Sequence, residues 1–364
     1  MNSHPEAMNQ TMSTDPTADR AVPATGRDAG VPWHFGDPLR EQRRLATAAG
    51  VVDRRNRDVL VVPGDDRLGW LHSISSQHLT ALVDGDATEA LVLSPHGHVE
   101  QHWQVTELDG RVWIDTEPGT AAGVLDYLMK MRFLKRVEPA DLSADWAVLS
   151  VVGPATGDVL AAAGFPVPER AGRAVALPEG GFVRRMPWPG PDAADVLVPA
   201  TAADDTIERL VRAGADRAGL WAFEALRVEA RRPRLALETD HRTIPHEVGW
   251  IGPAVHLDKG CYRGQETVAR VQNLGRPPRK LVLLHFGGES DELPAPGTPV
   301  EAGGRAVGFL GTALHHHELG PIGLAVMKRA LAEKLAEKSG ENAPADTTVT
   351  VAGLAVAIDT ELSG

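Results

Sequence analysis

The chain contains a single cysteine, Cys261. One thiol cannot close an internal disulfide, so a reducing, cytoplasmic setting is the simplest expectation. Nor can it hold an iron–sulfur cluster unaided, which usually takes about four thiolates. Positive charge is scarce: 37 Lys and Arg face 49 Asp and Glu, for a net charge of −12. A general nucleic-acid binder needs a basic footprint to neutralise phosphates, so the balance argues against that class. Local basic patches remain open, one of them at Lys130, Arg132, Lys135 and Arg136, and the stretch from Arg227 to Arg234 is more basic than the chain average. No apolar run reaches the roughly 18 residues of a membrane span. Residues 1–30 lack the basic and apolar regions of a secretory signal, and their Ser, Thr, Pro, Asp and Ala content predicts a disordered tail. A glycine-rich phosphate loop is missing as well, since Gly287-Gly288 lies in no strand–loop–helix context.

What is present is an alternation of short strands and helices. Strands are predicted at Arg57 to Val62, Thr88 to Leu93, Val99 to Thr106, Val112 to Asp115 and Ala147 to Val152. Phe182 to Met186 and Asp195 to Val198 predict a strand pair. Helices are predicted at Asp65 to Ser73, Ala121 to Met131, Thr156 to Ala163, Ala203 to Arg212 and Leu220 to Glu229. Pro95-His96-Gly97 marks a hairpin turn. Past a Gly- and Pro-punctuated boundary near Asn273 to Pro278 the pattern changes. Short strands at Lys280 to Phe286, Thr298 to Glu301, Arg305 to Leu314, Gly323 to Met327 and Thr347 to Ile358 predict a small β-barrel or sandwich. Glu333 to Asn342 reads as a polar insertion within it.

The densest chemistry sits at Lys259-Gly260-Cys261-Tyr262-Arg263-Gly264-Gln265-Glu266. A thiol reacts as thiolate, and Lys259 and Arg263 flank it with positive charge. A helix from Gln265 to Val271 would place Cys261 near its positive end. The alternative is an inert thiol packed as a small hydrophobe. No histidine is visibly paired with Cys261, so a cysteine-hydrolase reading is weak. His96, His98 and His102 are placed to share one strand face. His315-His316-His317-Glu318 reads as an exposed polar loop rather than a metal site, and no metal is expected.

Lys-Gly-Cys-Tyr-x-Gly-Gln-Glu, followed by Arg270, resembles the signature of the YgfZ folate-binding proteins, relatives of the glycine cleavage T-protein (the aminomethyltransferase). Ile244-Pro245-His246-Glu247-Val248-Gly249 resembles the family's Ile-Pro-x-Glu-x-Gly segment, with Asp240 at its preceding acidic position. Leu226-Arg227-Val228-Glu229 resembles the Leu-Arg-Leu-Glu helix end. The resemblance implies an α+β, T-protein-like fold in three parts. Two related α+β subdomains would surround a central folate channel in residues 31–275, and a β-barrel would fill 276–364. It implies tetrahydrofolate or another reduced folate as cofactor, and iron–sulfur client enzymes or assembly proteins as partners. It also makes Cys261 a functional thiol within the motif Lys259, Gly260, Tyr262, Gly264, Gln265, Glu266 and Arg270. T-proteins carry Arg-Thr-Gly-Tyr-Thr-Gly-Glu-Asp-Gly-Phe-Glu, whose Tyr and last Glu contact folate. The matching stretch here runs from Arg185 to Asp195, with Trp188 for the Tyr and Asp195 for the Glu. The next motif places Arg227 on a folate-binding arginine. Trp188, Asp195, Arg227, Glu229 and Asp240 are therefore the expected cofactor contacts. Read on their own, Arg227 and Glu229 equally suit a helix-surface ion pair. One departure weighs against aminomethyl transfer. Where T-proteins have an Asp-Asp pair on a strand, this chain has Glu100-Gln101, and Gln cannot ionise.

Overall fold

The computed structural model describes residues 21–187, 189, 192–287, 292–336 and 348–359. The N-terminal half runs β1 (Val22–Pro23), β2 (Pro32–His34), α1 (Pro38–Thr47), β3 (Gly50–Asp53), β4 (Asp58–Pro63), α2 (Arg67–Ile74), β5 (Ala87–Leu93), β6 (Val99–Leu108), β7 (Arg111–Thr116) and α3 (Ala121–Arg132). Then come β8 (Ala140–Asp141), β9 (Trp146–Val152), α4 (Thr156–Ala162), β10 (Arg173–Ala176), β11 (Phe182–Met186), β12 (Ala193–Pro199), α5 (Ala203–Arg212), β13 (Asp216–Ala218), α6 (Leu220–Glu229) and α7 (Gln265–Leu274). The last part is β14 (Arg279–Phe286), β15 (Pro299–Ala302), β16 (Arg305–His316), β17 (Gly320–Lys328), α8 (Arg329–Ala336), β18 (Val349–Val351) and β19 (Leu354–Asp359).

Two sheets and a barrel result. One sheet has the order β5-β6-β7-β4-β8, the other β10-β11-β12-β9-β3-β13, and β14 to β19 close a six-stranded barrel. The fold is thus α+β with a small C-terminal barrel, as expected. Each sheet is covered on one face by apolar helices. In β6, Trp103 and Val105 pack with Trp70, Leu71, Val124 and Leu128. Strand alternation then turns His102, Gln104 and Thr106 to the opposite face, yet all three are buried too. That second, polar face meets the other sheet and α6, and it frames the candidate site.

Three expectations are corrected. Residues 21–30, expected within a disordered tail, contain β1, which pairs with β2, and a short 3-10 turn at Gly26–Asp28. Residues 1–20 lie outside the described residues. The single strand expected at Thr347 to Ile358 is a hairpin: Ala352 and Gly353 both take left-handed φ, and Val351 pairs with Leu354. Ala-Gly is a weak hairpin signal beside Asn-Gly, so the turn is hard to see in sequence. Of the polar insertion expected at Glu333 to Asn342, residues 333–336 continue helix α8, whose Ala332 is fully buried against the barrel, and residues 337–342 lie outside the described residues.

Candidate functional site

The two sheets sandwich a layer of buried charge. Arg184 on β11 reaches across to Asp115 on β7 and to Asp195 on β12, each at 2.7 Å. Its Nη1 also donates to Thr106 Oγ1 at 3.3 Å. Arg57 completes Asp115 at 2.8 Å. Ser150 donates to Asp195 at 2.6 Å, and Arg54 stands 3.5 Å from the same carboxylate. Across the layer, Arg227 on α6 pairs with Glu224 at 2.8 Å and Glu238 at 3.3 Å. Arg234 pairs with Glu117 at 2.7 Å and takes Asp28 in a two-pronged contact at 2.9 and 3.0 Å. Asp28 comes from the N-terminal segment and also accepts from Asn56 at 3.0 Å. The pocket left between these groups encloses about 20 Å³, room for about one water.

Buried charges persist only when paired, because desolvation otherwise neutralises them. Burial works to raise the pKa of Glu117, but Arg234 and Arg57 outweigh it and hold it at about 2. Glu89 on β5 behaves alike: burial opposes its charge, while the hydrogen bond from His102 and the guanidinium of Arg232 hold it at about 2. Arg54 is pushed down to about 10, by burial first and by Arg57 second.

Cys261 is exposed and lies outside this layer. It sits four residues ahead of α7, beyond the first turn where a helix dipole acts strongly. The flanking cations are committed elsewhere. Lys259 is buried, and its ammonium donates to the carbonyls of Ser75 at 2.5 Å, Gln77 at 3.1 Å and His72, closing the C-terminal end of α2. Burial lowers its pKa to about 8. Arg263 pairs with Glu100 at 3.0 Å. The motif is therefore a mount as much as a charge cluster. Gly264 has φ +81°, and a Cβ there would meet Ser94 O at 2.6 Å and Gly97 Cα at 2.8 Å. Only glycine fits, which ties the Cys261 loop to the β5–β6 hairpin. Tyr262 is buried beneath Lys259, 5.1 Å from ring centre to Nζ. Gly260, Glu266 and Arg270 face solvent, and Gln265 is half-buried.

Of the expected cofactor contacts, the structure brings Asp195 and Arg227 into the central layer. Arg227 is buried and forms no ion pair with Glu229, which corrects the reading of a helix-surface pair. Glu229 is turned to His316 at 3.3 Å. Asp240 bonds Arg279 at 2.7 Å and Thr243, linking the region to the first barrel strand. Trp188 lies outside the described residues. His316 is buried at the end of β16, so the segment His315 to Glu318 is not a wholly exposed loop. His96 and His98 lie in the hairpin turn, and only His102 reaches the polar face. Among the described residues, no three His, Cys, Asp or Glu side chains converge as a metal site. No described helix is long and apolar enough to cross a membrane.

Sequence reasoning missed Arg54, Arg57, Gln104, Asp115, Glu117 and Arg184, and placed Arg234 only within a basic cluster. For Gln104, Asp115 and Arg184 the signal was there as polar residues at alternate positions inside apolar strands, as in His102, Gln104 and Thr106, whereas Arg54, Arg57 and Glu117 lie in connections that carry no such pattern.

Comparison with known proteins gives these positions a context. Residues 24–259 match the GCVT N-terminal domain family. An aminomethyltransferase of Symbiobacterium thermophilum is 27% identical over 310 residues, covering 80% of this chain and 81% of that protein. One from Rubrobacter xylanophilus is 28% identical over 309 residues, covering 81% and 80%. The solved structure of glycine cleavage system aminomethyltransferase T from Bartonella henselae superposes with a TM-score of 0.81 at 18% identity, over 95% of this chain and 94% of that one.

Proposed function

The chain belongs to the GCVT N-terminal domain family, and from that premise we propose that it is a tetrahydrofolate-binding protein of the YgfZ type. It would act in the cytoplasm, hold the folate between its two sheets and use the Cys261 thiol in assembly or repair of iron–sulfur enzymes. The observation that carries this reading is the mounting of Cys261. An exposed thiol stands on a loop fixed from below by buried Lys259 and by the glycine-only contact of Gly264.

The central layer suits a reduced folate in its chemistry. Arg227 is a candidate contact on the pocket wall, Arg54 and Arg234 supply positive charge there for a glutamate tail, and Asp195 stands 3.5 Å from Arg54 as a candidate contact outside the present lining. A bound folate would supply a carrier for a one-carbon unit. The present pocket is too small for it, so Asp28 must leave Arg234 before a folate is admitted.

The curated relatives bear the name aminomethyltransferase, which makes folate-dependent aminomethyl transfer the competing reading. The strand after the hairpin disfavours it. Glu100 is a partner of Arg263 at the surface, and Gln101 accepts from Trp103 at 3.0 Å. Neither places a carboxylate on the polar face. Turnover of a methylamine donor to methylenetetrahydrofolate by the purified chain would establish that reading instead.

The test of the thiol is complementation of a deletion strain with the full chain. Cys261→Ala should fold as the parent does, since exposed substitutions usually stay within about 0.5 kcal/mol. It should nevertheless fail to restore iron–sulfur enzyme activities. Full restoration by Cys261→Ala would remove the thiol from the function.

A further inference from the structure

Gln104 is the anomaly of the polar layer. It is 2% exposed, and both its Oε1 and Nε2 lack any hydrogen-bond partner in the protein. It lies mid-strand on β6, opposite Glu89 on one side and Asp115 on the other. Those neighbours are fully engaged, Glu89 with His102 and Arg232, Asp115 with Arg57 and Arg184. One more buried donor in the same layer is unpaired: Arg184 Nε, whose Nη1 bonds Thr106, two residues along from Gln104. A buried amide left unmade costs about 1–3 kcal/mol. In a layer where nearly every other charge is matched, an unpaired amide and an unpaired guanidinium N–H call for a complementary ligand.

We propose that Gln104 is the specificity-determining residue that reads a pterin-type lactam edge in the space between the sheets. This rests on the reduced-folate reading of the site. A carboxamide offers an N–H and a C=O in one plane. The pterin ring offers the reciprocal pair, its ring N–H beside its carbonyl, with an amino group alongside. The two can form paired hydrogen bonds, and Arg184 Nε can donate to the ring carbonyl. A carboxylate at position 104 would accept only, and a cation would only donate, so the amide is the group that meets both halves of the edge. The buried setting gives such a pair its discrimination, because a ligand lacking the edge leaves the amide unpaired.

The experiment is calorimetric titration of the full chain, wild type and Gln104→Met, with tetrahydrofolate kept reduced and separately with p-aminobenzoylglutamate, which has no pterin. Gln104→Met should weaken tetrahydrofolate by roughly tenfold or more and leave p-aminobenzoylglutamate unchanged, since one buried hydrogen bond is worth about that much. Without ligand, its thermal midpoint should equal or exceed the wild type, because an unpaired polar group has been removed. Equal tetrahydrofolate affinity in the variant would overturn the assignment while leaving the folate reading intact. So would a midpoint several degrees lower, which would mark Gln104 as a structural member of the layer. If the wild type takes up neither compound, the folate reading falls and this assignment with it. Gln104→Asn, which keeps the amide one methylene short, serves where Gln104→Met does not fold; it should lose tetrahydrofolate affinity selectively, and unchanged affinity would overturn the assignment.

Discussion

Replacing Arg184 by Met should cost about 3–5 kcal/mol of unfolding free energy, among the largest effects of any single substitution in the chain. Arg184 is 1% exposed and bridges two sheets through Asp115 and Asp195. Methionine fills much of its volume but leaves both carboxylates partly unmatched. Arg57 still holds Asp115, and Arg54 and Ser150 still hold Asp195, so the loss falls short of stranding two bare charges. Arg136 makes a clean contrast. It too is ion-paired, to Asp65 and Asp66, but its side chain is 71% exposed. Water screens that contact, and Arg136→Met should change stability far less than Arg184→Met. Urea unfolding followed by tryptophan fluorescence measures both. Similar costs for the two variants would show that the polar layer does not depend on its buried pairing.

Acid should dismantle the same layer. Glu89 and Glu117 are held at about 2 in the fold against an ordinary value of 4.5. A depressed carboxyl stabilises the fold in full above its unfolded pKa. That contribution is lost as pH falls through the folded one. The window is therefore pH 4.5 down to about 2, and the loss is about 3 kcal/mol per group at about 1.4 kcal/mol per pKa unit. Glu117→Gln should be less stable than the parent at pH 7, because Arg234 then keeps only Asp28 and Glu224. Its stability should also fall less steeply between pH 4.5 and 2. Thermal midpoints across that range decide the matter, and parallel curves for the two proteins would sink the assignment.

The elements of the fold are largely legible in the sequence, and the site is only partly so. Leu220–Glu229 can be read as a helix because its apolar residues recur at helical spacing. What its charges do cannot be read. Periodicity tells which residues share a face, not what covers that face, and here Glu224 and Arg227 turn inward to meet Arg234 and Glu238. The cysteine motif shows the same division. Its glycines announce a tight backbone, and Gly264 needs one. Lys259 beside Cys261 suggests thiolate support, yet its ammonium is drawn away by three carbonyls of a helix end 182 to 187 residues earlier in the chain. Asp28 is the extreme case: it sits in a stretch whose composition suggests disorder, and its role depends on Arg234, 206 residues away.

The central claim is that the space between the two sheets receives a reduced folate. Equilibrium binding of tetrahydrofolate to the full-length protein, by calorimetry under reducing conditions, tests it most directly. The account predicts saturable one-to-one binding that tightens when Asp28→Asn releases Arg234. Absence of saturable binding by both the parent and Asp28→Asn would contradict it.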